Sequence, residues 1–360
     1  MNKVVDKEQM NKILPFYDCS LNDTSVAVLG NGLINHTYIV HSPKKHFVLQ
    51  HINQYVFKQP EQVINNAELI NKHLQSKKEQ GLYPLEPMWQ INSNLDSPVV
   101  IVDDNYWRAI QYIPNCYTVE AVETDEQAAQ AATAFGQFTA ALSDFPANEL
   151  SEIIPNFHNL TFRLQQLKNI VKKDPVGRLS QCQELVDYCF SQNTFIEKVA
   201  ELVEQLPVQV THNDTKINNL LFNSDSQKPI AVIDLDTCMP GFIMHDFGDM
   251  VRTCCSNLPE DGANLESMQV RLNIFDALAD AYVKSFAGKM TSLEQQSLIT
   301  GAQLLPFMIG IRFLTDFIDG DNYFHVNHAT HNLERAKNQL HLFRLLNSIE
   351  NHLTEIVMAK

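Results

Sequence analysis

The residues best placed to do chemistry lie in the stretch His212-Asn213-Asp214-Thr215-Lys216-Ile217-Asn218-Asn219 and in two acidic residues further on, Asp234 and Asp236. A loop carboxylate such as Asp214 can accept the proton of an attacking hydroxyl. The amide oxygen of Asn219 and the carboxylate of Asp234 are hard donors of the kind Mg2+ takes, with phosphates and water filling its remaining positions. Asp214 is therefore the candidate base, Asn219 and Asp234 are the candidate metal ligands, and His212 is expected to buttress the loop. A lone loop Asp is ordinarily a turn or cap residue. The spaced set, at the ends of predicted strands, points instead to phosphoryl transfer.

The flanking sequence supplies what such a set needs. A β-branched run at 208–211 enters the polar loop, and a second apolar run at 220–222 leaves it. After a polar turn at 224–228, a third run at 230–235 ends on Asp234 and Asp236. This reads as strand, loop, strand, turn, strand. Asp246 and Asp249 either cap a helix starting near Phe247 or, for Asp246, hold the 212–219 loop.

Upstream, strands are predicted at 25–29, 38–40, 46–52, 88–91, 99–103 and 106–112, with a helix opened by Pro60. Val63, Ala67, Ile70 and Leu74 form the apolar stripe of that helix, and Glu68 lies off it. Gly30-Asn31-Gly32 follows the first strand. Taken alone it is a hairpin turn; ahead of the 212–219 loop it can lay backbone N–H groups over phosphates. After Gln111-Tyr112-Ile113 the sequence turns helical, with capping boxes at Thr124/Gln127 and Thr291/Glu294 and a last helix at 331–358. Arg312 interrupts the apolar run 304–314, with Asp316 four residues on and Tyr323 after the helix end. A buried Arg needs a partner: either an ion pair along the helix or a polar wall for hydroxyl groups.

Composition narrows the classes. A net charge of −15 opposes nucleic acid and anionic membrane as partners. The run 304–314 is too short, and too charged at Arg312, for a membrane span. The N-terminus is too polar for a signal peptide, and seven cysteines without a C-x-x-C pair suit reduced thiols and a cytoplasmic location.

Taken together, G-N-G-L-I-N-H-T-Y, V-T-H-N-D-T-K-I-N-N-L-L, I-D-L-D-T-C-M-P-G, D-F-G-D and R-F-L-T-D-F-I-D-G-D-N-Y-F resemble the aminoglycoside phosphotransferase branch of the protein-kinase-like fold. Within it they are most similar to the N-acetylhexosamine 1-kinases. The resemblance implies an α+β, two-lobed fold: an antiparallel-sheet N-lobe at 1–113 that covers the nucleotide, and a mostly helical C-lobe at 114–360. It implies transfer of the γ-phosphate of ATP, with Mg2+, to the anomeric hydroxyl of an N-acetylhexosamine, by a monomer or weak homodimer. Asp214 would be the base, and Asn219 and Asp234 the metal ligands. Gly30, Asn31, Gly32, Gln50, Gln111, Tyr112 and Ile113 would face the nucleotide. Asn35, Asp236, Arg312, Asp316 and Tyr323 would face the sugar, with Asp236 assisting either the sugar or the metal. One departure stands out. The third strand reads F-V-L-Q-H, so Gln50 occupies the place of the usual phosphate-binding Lys, and a Lys–Glu pair with Glu68 cannot form.

Overall fold

The computed structural model describes residues 5–30 and 34–360. In chain order the elements are α1 (Lys7–Ile13), β1 (Ser25–Val28), β2 (His36–His41), β3 (His46–His51), α2 (Pro60–Glu79), β4 (Gln90–Ile91), β5 (Val100–Val102), β6 (Asn105–Gln111) and β7 (Cys116–Tyr117). There follow α3 (Asp125–Ala141), α4 (Leu160–Lys173), α5 (Gln183–Ser191), α6 (Asn193–Val203), β8 (Gln209–Thr211), β9 (Leu220–Asn223), β10 (Pro229–Val232) and β11 (Met239–Gly241). The chain ends with α7 (Ile243–Cys254), α8 (Leu272–Ser285), α9 (Ser292–Asp319), α10 (His331–Ser348) and α11 (Glu350–Met358).

These elements form two compact units. The first gathers Met1–Tyr117, Asn148–Pro155 and Leu221–Met239; the second gathers Thr118–Ala147, Asn156–Leu220 and Pro240–Lys360. Asn148–Pro155 and Leu221–Met239, remote in sequence from the sheet, are thus grouped with it.

The first unit is built on an antiparallel sheet ordered β1-β2-β3-β6-β4, with β5 also on β6. Strand side chains alternate between faces. One parity (Tyr38, Val40, Phe47, Leu49, Trp107 and Ala109) is buried against Met10, Ile13 and Tyr17. The other parity leaves Thr37, Gln50 and Arg108 in one cross-strand row, since Thr37 pairs with Gln50 and Gln50 with Arg108. In α2 the predicted stripe Val63, Ala67, Ile70 and Leu74 is buried, and Glu68 pairs on the surface with Lys72, 2.7 Å away. Buried Asn66 ties segments together: its Nδ2 donates to the carbonyls of Ser151 and Cys238, and its Oδ1 accepts from the Ser151 N–H.

The second unit is helical and centred on α9, whose core includes Leu304, Phe307, Met308, Leu314 and Phe317. A Cβ on Gly301 would come within 2.0 Å of the Met244 carbonyl oxygen, and one on Gly248 within 2.2 Å of the Gly301 carbonyl oxygen. Glycine is required there because α7 and α9 touch backbone to backbone. By length and composition α9 could cross a membrane, but its most apolar window is 83% buried inside the protein, as in a core helix.

Three expectations change. The strand at 230–235 stops at Val232, because Asp234 takes a left-handed conformation (φ 60°, ψ 54°) and opens a 3-10 turn over Leu235–Thr237. The last helix breaks at Ile349 into α10 and α11. The helix expected near Phe247 begins at Ile243, so Asp246 lies inside α7 and does not cap it.

Candidate active site

Within the second unit, the 212–219 loop is held by a carboxylate from α7. Asp246 accepts from the N–H groups of His212 (3.0 Å) and Asn213 (2.7 Å) and from the Thr139 hydroxyl, while its carbonyl accepts from Thr215 Oγ1 at 2.6 Å. Those bonds hold Asn213 in a left-handed conformation (φ 64°). Burial pushes the Asp246 carboxyl up to about 6, against the anion-favouring pull of His212 and the two N–H donors. The His212 ring is fully buried edge-on between Phe135 and Phe138, and its Nδ1 accepts the Asp214 N–H. It acts as a buttress.

Asp214 is thereby presented from a rigid turn. Lys216 Nζ lies 3.0 Å from its Oδ1, and Asn219 Nδ2 donates to its Oδ2 (3.0 Å) and its carbonyl (2.8 Å). Burial works to raise the Asp214 carboxyl, but Lys216, His212 and Arg252 together outweigh it and hold it below the usual carboxylate range. It is an anion at neutral pH. Asn219 commits its N–H groups to Asp214, which leaves its amide oxygen as an acceptor. Sequence reasoning passed over Lys216. The signal was there: a cation two residues after the candidate base. Behind the loop, Arg252 bonds Asp249 at 2.9 Å and Glu260 at 2.5 Å.

A second cluster in the same unit surrounds Arg312. Its guanidinium lies 5.1 Å from the Phe157 ring centroid, 5.6 Å from Tyr323 and 5.3 Å from Phe324, within cation–π range of all three. The Tyr323 hydroxyl is 3.5 Å from Nη2, and among the described residues no carboxylate pairs with Arg312. The helical ion pair with Asp316 does not form. Asp316 instead clamps the chain after α9, accepting from the Tyr323 and Phe324 N–H groups and from Asn332 Nδ2. Arg163, another unforeseen member, donates to the Phe157 carbonyl and Gln166; burial, then the neighbouring Arg312, push it down to about 10. Its signal in the sequence was weak, since an Arg in an amphipathic helix is ordinarily solvated.

The remaining candidates belong to the first unit. Asp234 opens its 3-10 turn as described. Asp236 is buried with both oxygens engaged, Oδ2 by Asn35 Nδ2 at 2.6 Å and Oδ1 by Arg108. Gln50 also bonds Arg108. Gly30 takes φ 67° with open space around it, while Asn31 and Gly32 lie outside the described residues. Gln111 ends β6 and donates its N–H to the Trp89 carbonyl. The Tyr112 ring sits against His41 and His46, and the Ile113 carbonyl accepts from Cys116 Sγ. The structure thus brings together Asp214 with Asn219, Arg312 with Tyr323 and its Asp316 clamp, and Asn35 with Gln50 and Asp236 through Arg108.

An antiparallel N-terminal sheet, a helical C-terminal region and an Asp-bearing loop between short strands define a phosphotransferase of the two-lobed, protein-kinase-like fold. The sequence matches the phosphotransferase enzyme family (APH) over residues 25–283, and the chain belongs to that family. Solved structures agree on the fold. An aminoglycoside phosphotransferase from Alicyclobacillus acidocaldarius superposes with a TM-score of 0.63 at 12% identity, covering 100% of this chain and 98% of that one. Spectinomycin phosphotransferase in complex with ADP and spectinomycin gives 0.53 at 11% identity, covering 99% of each chain. Choline kinase from Cryptosporidium parvum Iowa II gives 0.56 at 13% identity, covering 96% of this chain and 95% of that one.

Proposed function

We propose that this phosphotransferase transfers the γ-phosphoryl group of ATP to the anomeric hydroxyl of an N-acetylhexosamine, N-acetylglucosamine or N-acetylgalactosamine. The observation that carries the reading is the state of Asp214: an anion on a braced turn, beside Lys216, in a chain of a phosphotransferase family. In the reaction, Asp214 orients the sugar hydroxyl and takes its proton late. The oxygen–phosphorus bond forms as the bond to the β-phosphate oxygen breaks, and ADP leaves. Little covalent assistance is needed; positioning and charge neutralisation supply most of the acceleration.

The donor set suits Mg2+. Asn219 offers an amide oxygen, and Asp234 offers a carboxylate from a left-handed residue, a backbone state that costs of order 1–3 kcal/mol and is typical of functional positions. Among the described residues no three His, Cys, Asp or Glu side chains form a cage. A Mg2+ site completed by phosphates needs none. When bound, the ion would neutralise charge on the phosphates; Asn219 and Asp234 would hold it.

The acceptor reading rests on Arg312. An Arg set among Phe157, Tyr323 and Phe324, with the nearby Asp316 committed to backbone, suits a neutral polyol carrying an acyl oxygen. A second reading, phosphorylation of another hydroxyl acceptor such as an aminoglycoside or choline, is favoured by the names of the similar solved structures. Cationic acceptors call for acidic or aromatic walls; here the rings are already taken up by a cation. ADP release measured against a panel of N-acetylhexosamines, unacetylated sugars, aminoglycosides and choline separates the two. Turnover confined to the N-acetylated sugars supports the first reading. Turnover confined to the amines overturns it.

A further inference from the structure

We propose that Arg108 on β6 supplies the phosphate-directed cation that Gln50 on β3 cannot, and that Gln50 has become its holder. The inference rests on the nucleotide reading above and concerns which side chain meets the phosphates. It would place a cationic subsite for a nucleoside di- or triphosphate wholly on first-unit residues.

Register makes the substitution possible. Gln50 and Arg108 are direct cross-strand partners on the sheet face opposite the apolar core. A charge needed beside position 50 can therefore come from the next strand with little displacement. Gln50 Oε1 accepts from Arg108 Nε at 2.9 Å and Nη2 at 2.7 Å, and Gln50 Nε2 donates onward to Thr37 Oγ1 at 3.1 Å. The Gln50 amide is thus fully occupied in orienting a guanidinium.

The acid partner has been replaced as well. Glu68 on α2 is engaged at the surface with Lys72. Arg108 instead pairs through Nη2 with Asp236, both side chains being 3% exposed or less. Asp236 is fixed in turn by Asn35, whose Oδ1 accepts the Asn53 N–H. It sits two residues past Asp234, in the same 3-10 turn. A cation paired with a buried acid is thereby rebuilt from β6 and the turn after β10, and it reaches the turn that bears the candidate metal ligand.

One part of the guanidinium is not engaged by any described residue. Nε and Nη2 are engaged, but Nη1 makes no hydrogen bond with any described residue. Nη1 is not among the unpaired atoms shut off from solvent, so its two N–H donors can be met by an acceptor from outside the protein. A phosphate oxygen accepts well from a guanidinium, and the bond is strengthened by charge.

Binding of ADP and of adenosine, each with Mg2+, to the wild type and to Arg108→Gln tests this without reliance on turnover. The expected result is a loss of tenfold or more in ADP affinity, about the value of one charge-assisted phosphate contact, with adenosine affinity unchanged. Arg108→Lys should recover part of the ADP affinity. Arg108→Gln strands Asp236, so the double variant Arg108→Gln/Asp236→Asn, which removes both buried charges, is measured alongside. It should show the same selective loss. Equal losses for ADP and adenosine, or no loss in the folded double variant, would overturn the proposal. A wild type that binds neither ligand would instead sink the nucleotide reading on which it rests.

Discussion

The two units brace their charged side chains in different ways. In the second unit the 212–219 loop is braced over shorter sequence distances: Asp214 meets Lys216 and Asn219 within five residues, and Asp246, 33 and 34 residues on, meets the loop's own backbone N–H groups. In the first unit the network joins positions 35, 50, 108 and 236, brought together by sheet register and by one turn. The local arrangement fixes the direction of one carboxylate. The long-range arrangement ties β3, β6 and the residue before β2 to a turn. The difference suits the two proposed tasks: a base must be aimed, whereas a subsite for phosphates must keep several backbone segments at fixed spacing.

Variants sharpen that contrast, beginning with the largest effect. Asp214→Asn keeps the turn and removes the base. Steady-state kinetics should show kcat reduced about 10²–10⁴-fold, with nucleotide affinity little changed; near-normal turnover would contradict the assignment. Asp246→Ala strips the acceptor from two buried N–H groups, so urea unfolding should report a loss of about 3–5 kcal/mol. Asn66→Ala removes two donated bonds and one accepted bond between segments of the first unit, and the same assay should show about 2 kcal/mol. If Asn66→Ala proved the costlier of the two, the long-range bonds of Asn66 would outweigh the bracing of the 212–219 loop.

Within the second unit, two buried groups on α7 set opposing pH dependences. His245 is buried between Phe242 and His158, and burial drives its imidazole down to about 3 from an ordinary 6.5. Between those values the unfolded chain binds the extra proton. This contribution is therefore full above about pH 6.5 and is lost as pH falls toward 3. Asp246 acts with the opposite sign: its raised carboxyl, about 6 against 3.8, lets the folded state keep a proton, so its contribution declines as pH rises through that window. His245→Asn should flatten the loss of stability measured between pH 7 and 4. An unchanged slope would show that the acid limb arises elsewhere.

The same contrast explains what could be read in advance. The spacing of Asp214 and Asn219 is local, so the loop was legible, and so were the capping boxes at Thr124 and Thr291, both formed with reciprocal bonds. The alternating strands and the stripe on α2 were legible because period decides which face is buried. Arg108 was not. Its partners lie 58 and 128 residues away, and an Arg within N-Y-W-R-A-I-Q says only that a strand carries a charge. The end of β10 was misplaced because an apolar run continued past Val232, while the left-handed turn at Asp234 has no marker in an L-residue. For the 331–358 helix, apolar periodicity ran on across a break at Ile349 that only tertiary packing reveals.

Phosphorus NMR of the product formed from Mg·ATP and N-acetylglucosamine is the most direct test of the central claim. The account predicts a phosphomonoester coupled to the anomeric proton, produced by the wild type and absent with Asp214→Asn. A phosphate coupled to the C6 methylene protons, or no sugar phosphate from an enzyme that phosphorylates choline or an aminoglycoside, would contradict it.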